Sequence, residues 1–284
     1  MPDARHPAPP GDLFYSVVIP AHDEEGCIAE TCRTIVERLR AEPVPRFELV
    51  VVNDGSTDRT PDILAELERE LPEVRRVDNT GPHGFGYAVR AGLAAYRGDA
   101  VAIVMGDLSD SPDDIAAYYR ELRAGAECVF GSRFVKGGRV IDYPKHKYLL
   151  NRLANLFIRI LFRHGTNDTT NAFKAYRREV VDGIQPLISP HFNLTVEMPL
   201  KAVVRGFTYV KLPISWTNRK TGVSKLKIRE MGSRYLYIVL NIWLERRLTR
   251  NDYRRRSPAS PAVTPPFPSP AGRSPSRQPP SITL

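Results

Sequence analysis

A chain of 284 residues is long enough to bury a sizeable core, and its formal charge of +9 is unevenly spread. Residues 1–132 hold 13 Lys/Arg against 24 Asp/Glu, residues 133–250 hold 23 against 7, and residues 251–284 hold 5 against 1. Three cysteines without metal-ligand spacing and six histidines without a cluster exclude a disulfide framework and a zinc motif, and point to a reducing compartment. No signal peptide opens the sequence and no apolar run reaches the ~18–20 residues of a bilayer span, so the chain reads as soluble or peripheral. The basic half suits a polyanion. With no helix-turn-helix, RNP-like or zinc motif beside it, lipid phosphate or an anionic membrane is expected rather than nucleic acid.

Residues 1–12 read as a disordered leader before a buried strand at 14–20. The turn that follows, Ala21 to Gly26, carries three acids and feeds a helix ending near Arg40. A carboxylate there repels phosphate but accepts hydrogen bonds from a base or a ribose, with Asp23 also a candidate helix cap. A second strand at 47–52 ends in Asn53-Asp54-Gly55-Ser56-Thr57-Asp58, and Thr60-Pro61 reads as cap and first-turn proline of the next helix. After a third strand at 74–77, a loop with Gly84 and Gly86 runs through Ala88 into a helix whose N-terminus is a candidate anion site.

The fourth strand, Val101 to Val104, is apolar without alternation, as expected of a parallel strand buried on both faces. It opens at Gly106 into Asp107-Leu108-Ser109-Asp110. Carboxylates at the carboxyl end of such a strand can share Mg²⁺ or Mn²⁺ with a diphosphate. Ser111, Pro112, Asp113 and Asp114 satisfy the rules for a helix start, which leaves Asp107 and Asp110 for a metal or a phosphate. A fifth strand at 127–134 carries Arg133 at its end. Five β-α units in series predict a doubly wound parallel sheet.

The second half differs in character. Residues 148–162 are apolar at helical spacing and carry Arg152 and Arg159, and a polar run from Asn167 to Asn171 leads into a short strand. Residues 194–204 read as a helix and 207–216 as a strand. Residues 217–226 form a cationic loop, with Arg219, Ser224 and Lys225, of a kind able to close over phosphate. Residues 227–250 read as a basic amphipathic helix whose apolar heart, Tyr235 to Leu244, is too short to span and suits the headgroup plane. Packing against the domain or a dimer partner is the other reading of that helix. The Pro- and Ser-rich stretch 251–284 reads as a disordered tail.

Seven motifs occur in one order: Val17-Val18-Ile19-Pro20-Ala21-His22-Asp23-Glu24-Glu25, Val52-Asn53-Asp54-Gly55-Ser56-Thr57-Asp58, His83-Gly84-Phe85-Gly86-Tyr87-Ala88, Gly106-Asp107-Leu108-Ser109-Asp110, Gly131-Ser132-Arg133-Phe134, Asp168-Thr169-Thr170-Asn171-Ala172-Phe173-Lys174 and Gly222-Val223-Ser224-Lys225-Leu226. Together they resemble the family 2 glycosyltransferases of GT-A fold, and among these the polyprenyl-phosphate glycosyltransferases of the dolichol-phosphate mannose synthase type. The resemblance covers residues 14 to about 248. It implies an α/β fold, with a Rossmann-like, mostly parallel sheet flanked by helices over residues 13–226 and the amphipathic helix 227–250 after it. It also implies inverting transfer from a nucleotide-sugar, GDP-mannose or a UDP-hexose, to dolichyl or undecaprenyl phosphate at the cytoplasmic membrane face, with Mg²⁺ or Mn²⁺.

By that likeness Pro20, Ala21, Asp23, Glu24 and Asp54 hold the nucleotide, and Gly84, Gly86, Ala88 and Arg219 complete the donor site. Asp107, Ser109 and Asp110 would hold the metal. Arg133, Thr170, Asn171, Ser224 and Lys225 would face the acceptor phosphate, with Asp168 as the candidate base. Two positions depart from the family pattern: Met105 replaces the first Asp of D-x-D, and Asn53 the first Asp of D-D-G-S. Either Asp110 substitutes, the cation is held more weakly, or Arg219 and Lys225 do more of the charge neutralisation. A saccharide acceptor and a decayed membrane-associated scaffold are the alternatives. The first turn lacks the G-x-G-x-x-G of a nicotinamide-dependent oxidoreductase and the Gly-rich turn of a nucleotidyltransferase. A second copy or a membrane protein as partner stays open.

Overall fold

The computed structural model describes residues 12–141, 143–217, 228–249 and 252–255. The expected leader up to residue 11, the cationic loop at 218–227 and the tail beyond 255 lie outside the described residues. The first half alternates strand and helix: β1 (Phe14–Ala21), α1 (Ile28–Ala41), β2 (Arg46–Asn53), α2 (Thr60–Glu70), β3 (Val74–Asp78), α3 (Phe85–Ala95), β4 (Ala100–Ile103), α4 (Pro112–Arg123) and β5 (Cys128–Ser132). The second half holds β6 (Arg139–Ile141), α5 (Lys145–Phe162), β7 (Lys174–Arg177), α6 (Arg178–Gly183), α7 (Leu194–Val204), β8 (Tyr209–Pro213), β9 (Ser215–Thr217) and α8 (Ile228–Leu248).

Seven strands form one sheet in the order β3-β2-β1-β4-β7-β5-β8, and β6 and β9 form a separate parallel pair. The first five strands run parallel as expected, and one later strand is inserted among them. The short strand β7 lies antiparallel between β4 and β5, so these two never pair directly. The strand expected at 207–216 is likewise two strands, separated at Ile214, a buried core residue.

The strands β1, β2 and β4 are largely buried on both faces, which is why they carry apolar runs without alternation, Val17–Ile19, Leu49–Val52 and Ala100–Ile103. One face packs Val17, Ile19, Leu49 and Val51 against Ile28 and Ile35 of α1, Leu64 of α2 and Ile115 of α4. The other packs Val18, Val50 and Val101 against Val89 of α3, Val180 of α6 and Met198 of α7. A third cluster joins Ile158 and Phe162 of α5, Val196 and Leu200 of α7, and Ile238, Val239 and Ile242 of α8. Helix α7 therefore serves two cores at once. Helix α8 packs on the domain through one stripe and keeps Leu236, Tyr237, Leu240 and Leu244 exposed.

Candidate active site

The chain winds outward from β1 to β3 and then returns to the other side of β1 as β4. Such a reversal opens a crevice outside the carboxyl ends of the two strands, the usual ligand site of an open α/β sheet. The turns after β1, β2 and β4 supply its walls.

On the donor side, the first two turns are laced together. Asp23, at φ 51, does not cap α1, whose cap position is Cys27. Instead its Oδ1 accepts from Thr57 N at 2.7 Å, while its own amide donates to Ser56 Oγ at 3.1 Å. Glu24 N donates to Thr60 Oγ1 at 2.9 Å, and α2 has Arg59, not Thr60, at its cap position. The Ala21 carbonyl accepts from Asp54 N at 2.8 Å, and Pro20 precedes it on β1. Asn53 donates from Nδ2 to Asp78 Oδ1 at 2.7 Å and accepts Ser56 N at 3.2 Å. An aspartate in its place would set two carboxylates against each other, so the departure at this position has a local cause.

Asp54, expected on the nucleotide, organises its own surroundings. Its Oδ2 accepts from Gly84 N at 2.7 Å and its Oδ1 from Asn79 Nδ2 at 2.6 Å, with His83 Nδ1 at 3.2 Å. The helix N-terminus expected to be an open anion site is occupied too. Gly86 N and Tyr87 N both approach the Pro190 carbonyl, at 3.1 and 3.3 Å. A Cβ on Gly86 would lie 2.3 Å from the Ser189 carbonyl oxygen, so glycine is required there by packing. Gly84, at φ +142, presses against His191 in the same way. Ala88 is a core residue, 1 % exposed, and has no route to a ligand.

After β4 the chain makes a tight acidic turn. Met105 N donates to Asp110 Oδ2 at 3.0 Å, Ser109 N donates to Asp107 Oδ1 at 3.2 Å, and Leu108 sits at φ 59. The Gly106 carbonyl accepts from Thr31 Oγ1 at 3.2 Å, seating the turn on α1. Burial pushes the Asp110 carboxyl up to about 7, with Asp107 adding to the effect. The Ser109 hydroxyl is buried without a partner among the described residues. The orphaned Ser109 hydroxyl, in one turn with the carboxylates of Asp107 and Asp110, fits a cation, although no three His, Cys, Asp or Glu gather into a metal cage among the described residues. Mg²⁺ is commonly held by one or two carboxylates with substrate phosphates completing the shell. Asp113 and Asp114, assigned to capping, have other partners. Asp113 pairs with Arg38, and Asp114 Oδ2 accepts from Ser215 N at 2.8 Å, tying α4 to β9.

On the acceptor side, Arg133 and Asp168 form a buried fork. Arg133 Nε and Nη2 donate to Asp168 Oδ2 and Oδ1 at 2.8 and 2.7 Å, and the Arg133 amide donates to Oδ2 at 3.0 Å. Burial opposes the charge on Arg133, and Asp168 outweighs it and holds the guanidinium protonated. Asp168 is completely buried with both oxygens bound to this one cation. In that geometry neither oxygen of Asp168, expected as the base, can take a proton from a substrate without giving up a bond from Arg133. Phe134, Tyr143 and Trp216 surround the guanidinium, with ring centres at 5.2, 5.9 and 5.9 Å. Trp216 also bridges to Asp110, so the acidic turn and the cation are neighbours.

Thr170 and Asn171, expected on the acceptor phosphate, are occupied within the fold. Thr170 Oγ1 accepts from Asn151 and Asn155 of α5, both at 3.0 Å, and Asn171 Nδ2 donates to the Gly131 carbonyl at 3.2 Å. Arg219, Ser224 and Lys225 lie outside the described residues. The residue that sequence reasoning missed is Lys174, a fully buried ammonium under this loop, which burial lowers to about 7. Its signal was a lone lysine at the head of the Lys-Ala-Tyr-Arg strand.

A mostly parallel sheet with an acidic turn at its switch point and a buried arginine beside it defines a glycosyltransferase of GT-A fold. The chain belongs to glycosyl transferase family 2, whose model matches residues 16–184. It is 33 % identical over 216 residues to polyprenol monophosphomannose synthase of Mycolicibacterium smegmatis, covering 74 % of this chain and 80 % of that protein. It is 31 % identical over 218 residues to dolichol-phosphate mannosyltransferase of Pyrococcus furiosus, covering 76 % of this chain and 60 % of that longer protein. In fold it resembles glucosyl-3-phosphoglycerate synthase from Mycobacterium tuberculosis, solved with Mn²⁺, uridine diphosphate and glucosyl-3-phosphoglycerate. That likeness has a TM-score of 0.61 at 20 % identity and covers 82 % of this chain and 80 % of the other.

Proposed function

We propose that the chain transfers a sugar, with inversion, from a nucleoside-diphosphate sugar such as GDP-mannose or a UDP-hexose to a polyprenyl phosphate. The observation that carries this reading is the buried guanidinium of Arg133 standing beside the acidic turn of Asp107 and Asp110, with Trp216 touching both. A cation pre-aimed by Asp168 suits an anionic nucleophile. A phosphate monoester is already largely ionised near neutral pH, so it needs positioning more than it needs a base. That agrees with the locked state of Asp168. The names of the mannose synthase relatives support the acceptor class.

In this mechanism the turns after β1 and β2 receive the nucleoside, and Arg133 holds the acceptor phosphate so that its oxygen faces the anomeric carbon from the side opposite the leaving diphosphate. Asp107, Asp110 and the Ser109 hydroxyl would hold Mg²⁺ or Mn²⁺, which supplies charge neutralisation for the departing diphosphate. Arg219, Ser224 and Lys225 keep their expected roles toward the donor diphosphate and the acceptor phosphate. Thermal shift with UDP, GDP and CMP, each with and without Mn²⁺, tests the donor half. Ligand at 100 times Kd adds about 2.7 kcal/mol, so one base should raise the melting temperature selectively. Transfer of that nucleotide's sugar to a short polyprenyl phosphate tests the acceptor half. No shift with any nucleotide and no transfer would overturn the reading in favour of a non-catalytic scaffold.

The reading places the chain at the cytoplasmic face of a membrane, a placement supported by two helices. No helix among the described residues is long and apolar enough to cross a bilayer. Helix α5 nevertheless exposes Leu149, Leu153, Leu156, Phe157 and Ile160 at helical spacing, beside the exposed stripe of α8. From the sequence, lipid contact is expected on α8 alone. Part of that helix is in the core, and α5 carries the larger apolar face, flanked by Arg152 and Arg159. Replacing Leu153 and Phe157 with Ser should reduce binding to anionic vesicles more than replacing Trp243 and Leu244 does. Equal retention by both variants would remove the membrane placement.

A further inference from the structure

Lys174 begins β7, where its backbone pairs with Ile103 of β4 and Phe130 of β5. The side chain is buried, and its ammonium donates to three carbonyls, those of Thr169 at 3.0 Å, Asn171, and Thr195 at 3.4 Å. Removing an ammonium from water costs free energy that an aliphatic side chain would not. Neutral carbonyl oxygens offset only part of that cost, and the residues before and after it in the chain, Phe173 and Ala175, are buried apolar side chains. Stability of the sheet alone gives no reason for a charge here.

The three carbonyls do give one. Two belong to the 168–171 turn, closed by Asn171 N on the Asp168 carbonyl, and this turn carries the carboxylate that grips Arg133. The third belongs to the first turn of α7. On that same helix Glu197 accepts the amides of Ile188 and Ser189 at 2.9 and 2.8 Å, and the next carbonyl, of Pro190, receives Gly86 and Tyr87. The donor-side loop and the Asp168 turn are thus both hung from α7, the second of them through Lys174.

We propose that Lys174 is a positioning residue for the acceptor phosphate: by fastening the 168–171 turn to α7 it fixes Asp168, and through Asp168 the direction of the Arg133 guanidinium. This rests on Arg133 binding the acceptor, as proposed above. Lys174 itself touches no substrate.

The test compares wild type with Lys174→Met and Lys174→Arg, using steady-state transfer to a polyprenyl phosphate and the Kd for the selected nucleoside diphosphate. A misplaced catalytic group can cost about 100-fold. Lys174→Met should lose about that factor in kcat/KM for the acceptor, mostly through KM, with nucleotide Kd unchanged. Lys174→Arg, which keeps a buried cation able to reach carbonyls, should recover most of the loss. Should Lys174→Met not fold, Lys174→Gln replaces it, since it retains a donor. An unchanged acceptor KM overturns the assignment, and so do equal losses in donor and acceptor binding, or failure of both neutral variants to fold. A wild-type chain that binds nucleotide but never uses polyprenyl phosphate overturns the acceptor reading, and the assignment of Lys174 to it falls as well.

Discussion

Arg133→Ala is expected to abolish transfer and to destabilise the chain by about 3–5 kcal/mol, the usual range for breaking a buried ion pair by removing one partner. The stability loss follows from Asp168, which would remain fully buried with only the residue 133 amide donating to its carboxylate. The activity loss has a different origin, in the missing cation for the acceptor phosphate. The two can be separated. Arg133→Met combined with Asp168→Asn leaves neither charge of this pair without its partner, so urea unfolding should show much of the stability restored while transfer stays absent. Transfer by the double variant at more than a tenth of the wild-type rate would show that the pair serves the fold alone. Asp168→Asn by itself should weaken acceptor use through a poorly aimed Arg133; near-normal turnover at subsaturating acceptor would count against that role.

Asp107→Ala is expected to lower kcat by about 10²–10³-fold, or roughly 3–4 kcal/mol of transition-state stabilisation. The melting temperature serves as the control for folding, since the bond from Ser109 N to Asp107 Oδ1 that is lost closes a local turn. Nucleotide binding measured with Mn²⁺ should weaken toward the metal-free value if this carboxylate anchors the cation. Retention of more than half the activity would remove Asp107 as the anchor. Asp110→Asn provides the contrast, since an amide oxygen can still accept from Met105 N and preserve the turn. A variant that folds like wild type yet responds less to Mn²⁺ would identify Asp110 as the stand-in for the aspartate that Met105 replaces.

Much of this molecule is legible along the chain. The strands β1, β2 and β4 announce themselves because burial on both faces leaves mostly apolar residues, Ser16, Glu48 and Asn53 being the buried exceptions, and α7 begins and ends where its spacing predicts. The acidic turn at 107–110 is visible because the carboxyl end of a buried strand, followed by Gly and Asp, is a recognisable place for ligands. Its neighbours are less so. Arg133 and Asp168 lie 35 residues apart, and no local pattern marks them as one unit. The glycines at 84 and 86 read as an open phosphate loop, whereas Pro190 and His191 pack on them from a segment a hundred residues later.

What the sequence determined by itself was the alternating α/β architecture, the family motifs and the segregation of acid from base, because each rests on short-range periodicity or residue type. Tertiary structure alone decided that β7 enters the sheet antiparallel, that Asp54 and Asp168 bind their own chain, and that Lys174 sits beneath the candidate acceptor turn. The strand pairing and the bonds of Asp54 and Asp168 join distant segments. Burial, which the whole fold sets, determines whether a carboxylate or an ammonium faces solvent and substrate or an oppositely polar partner inside.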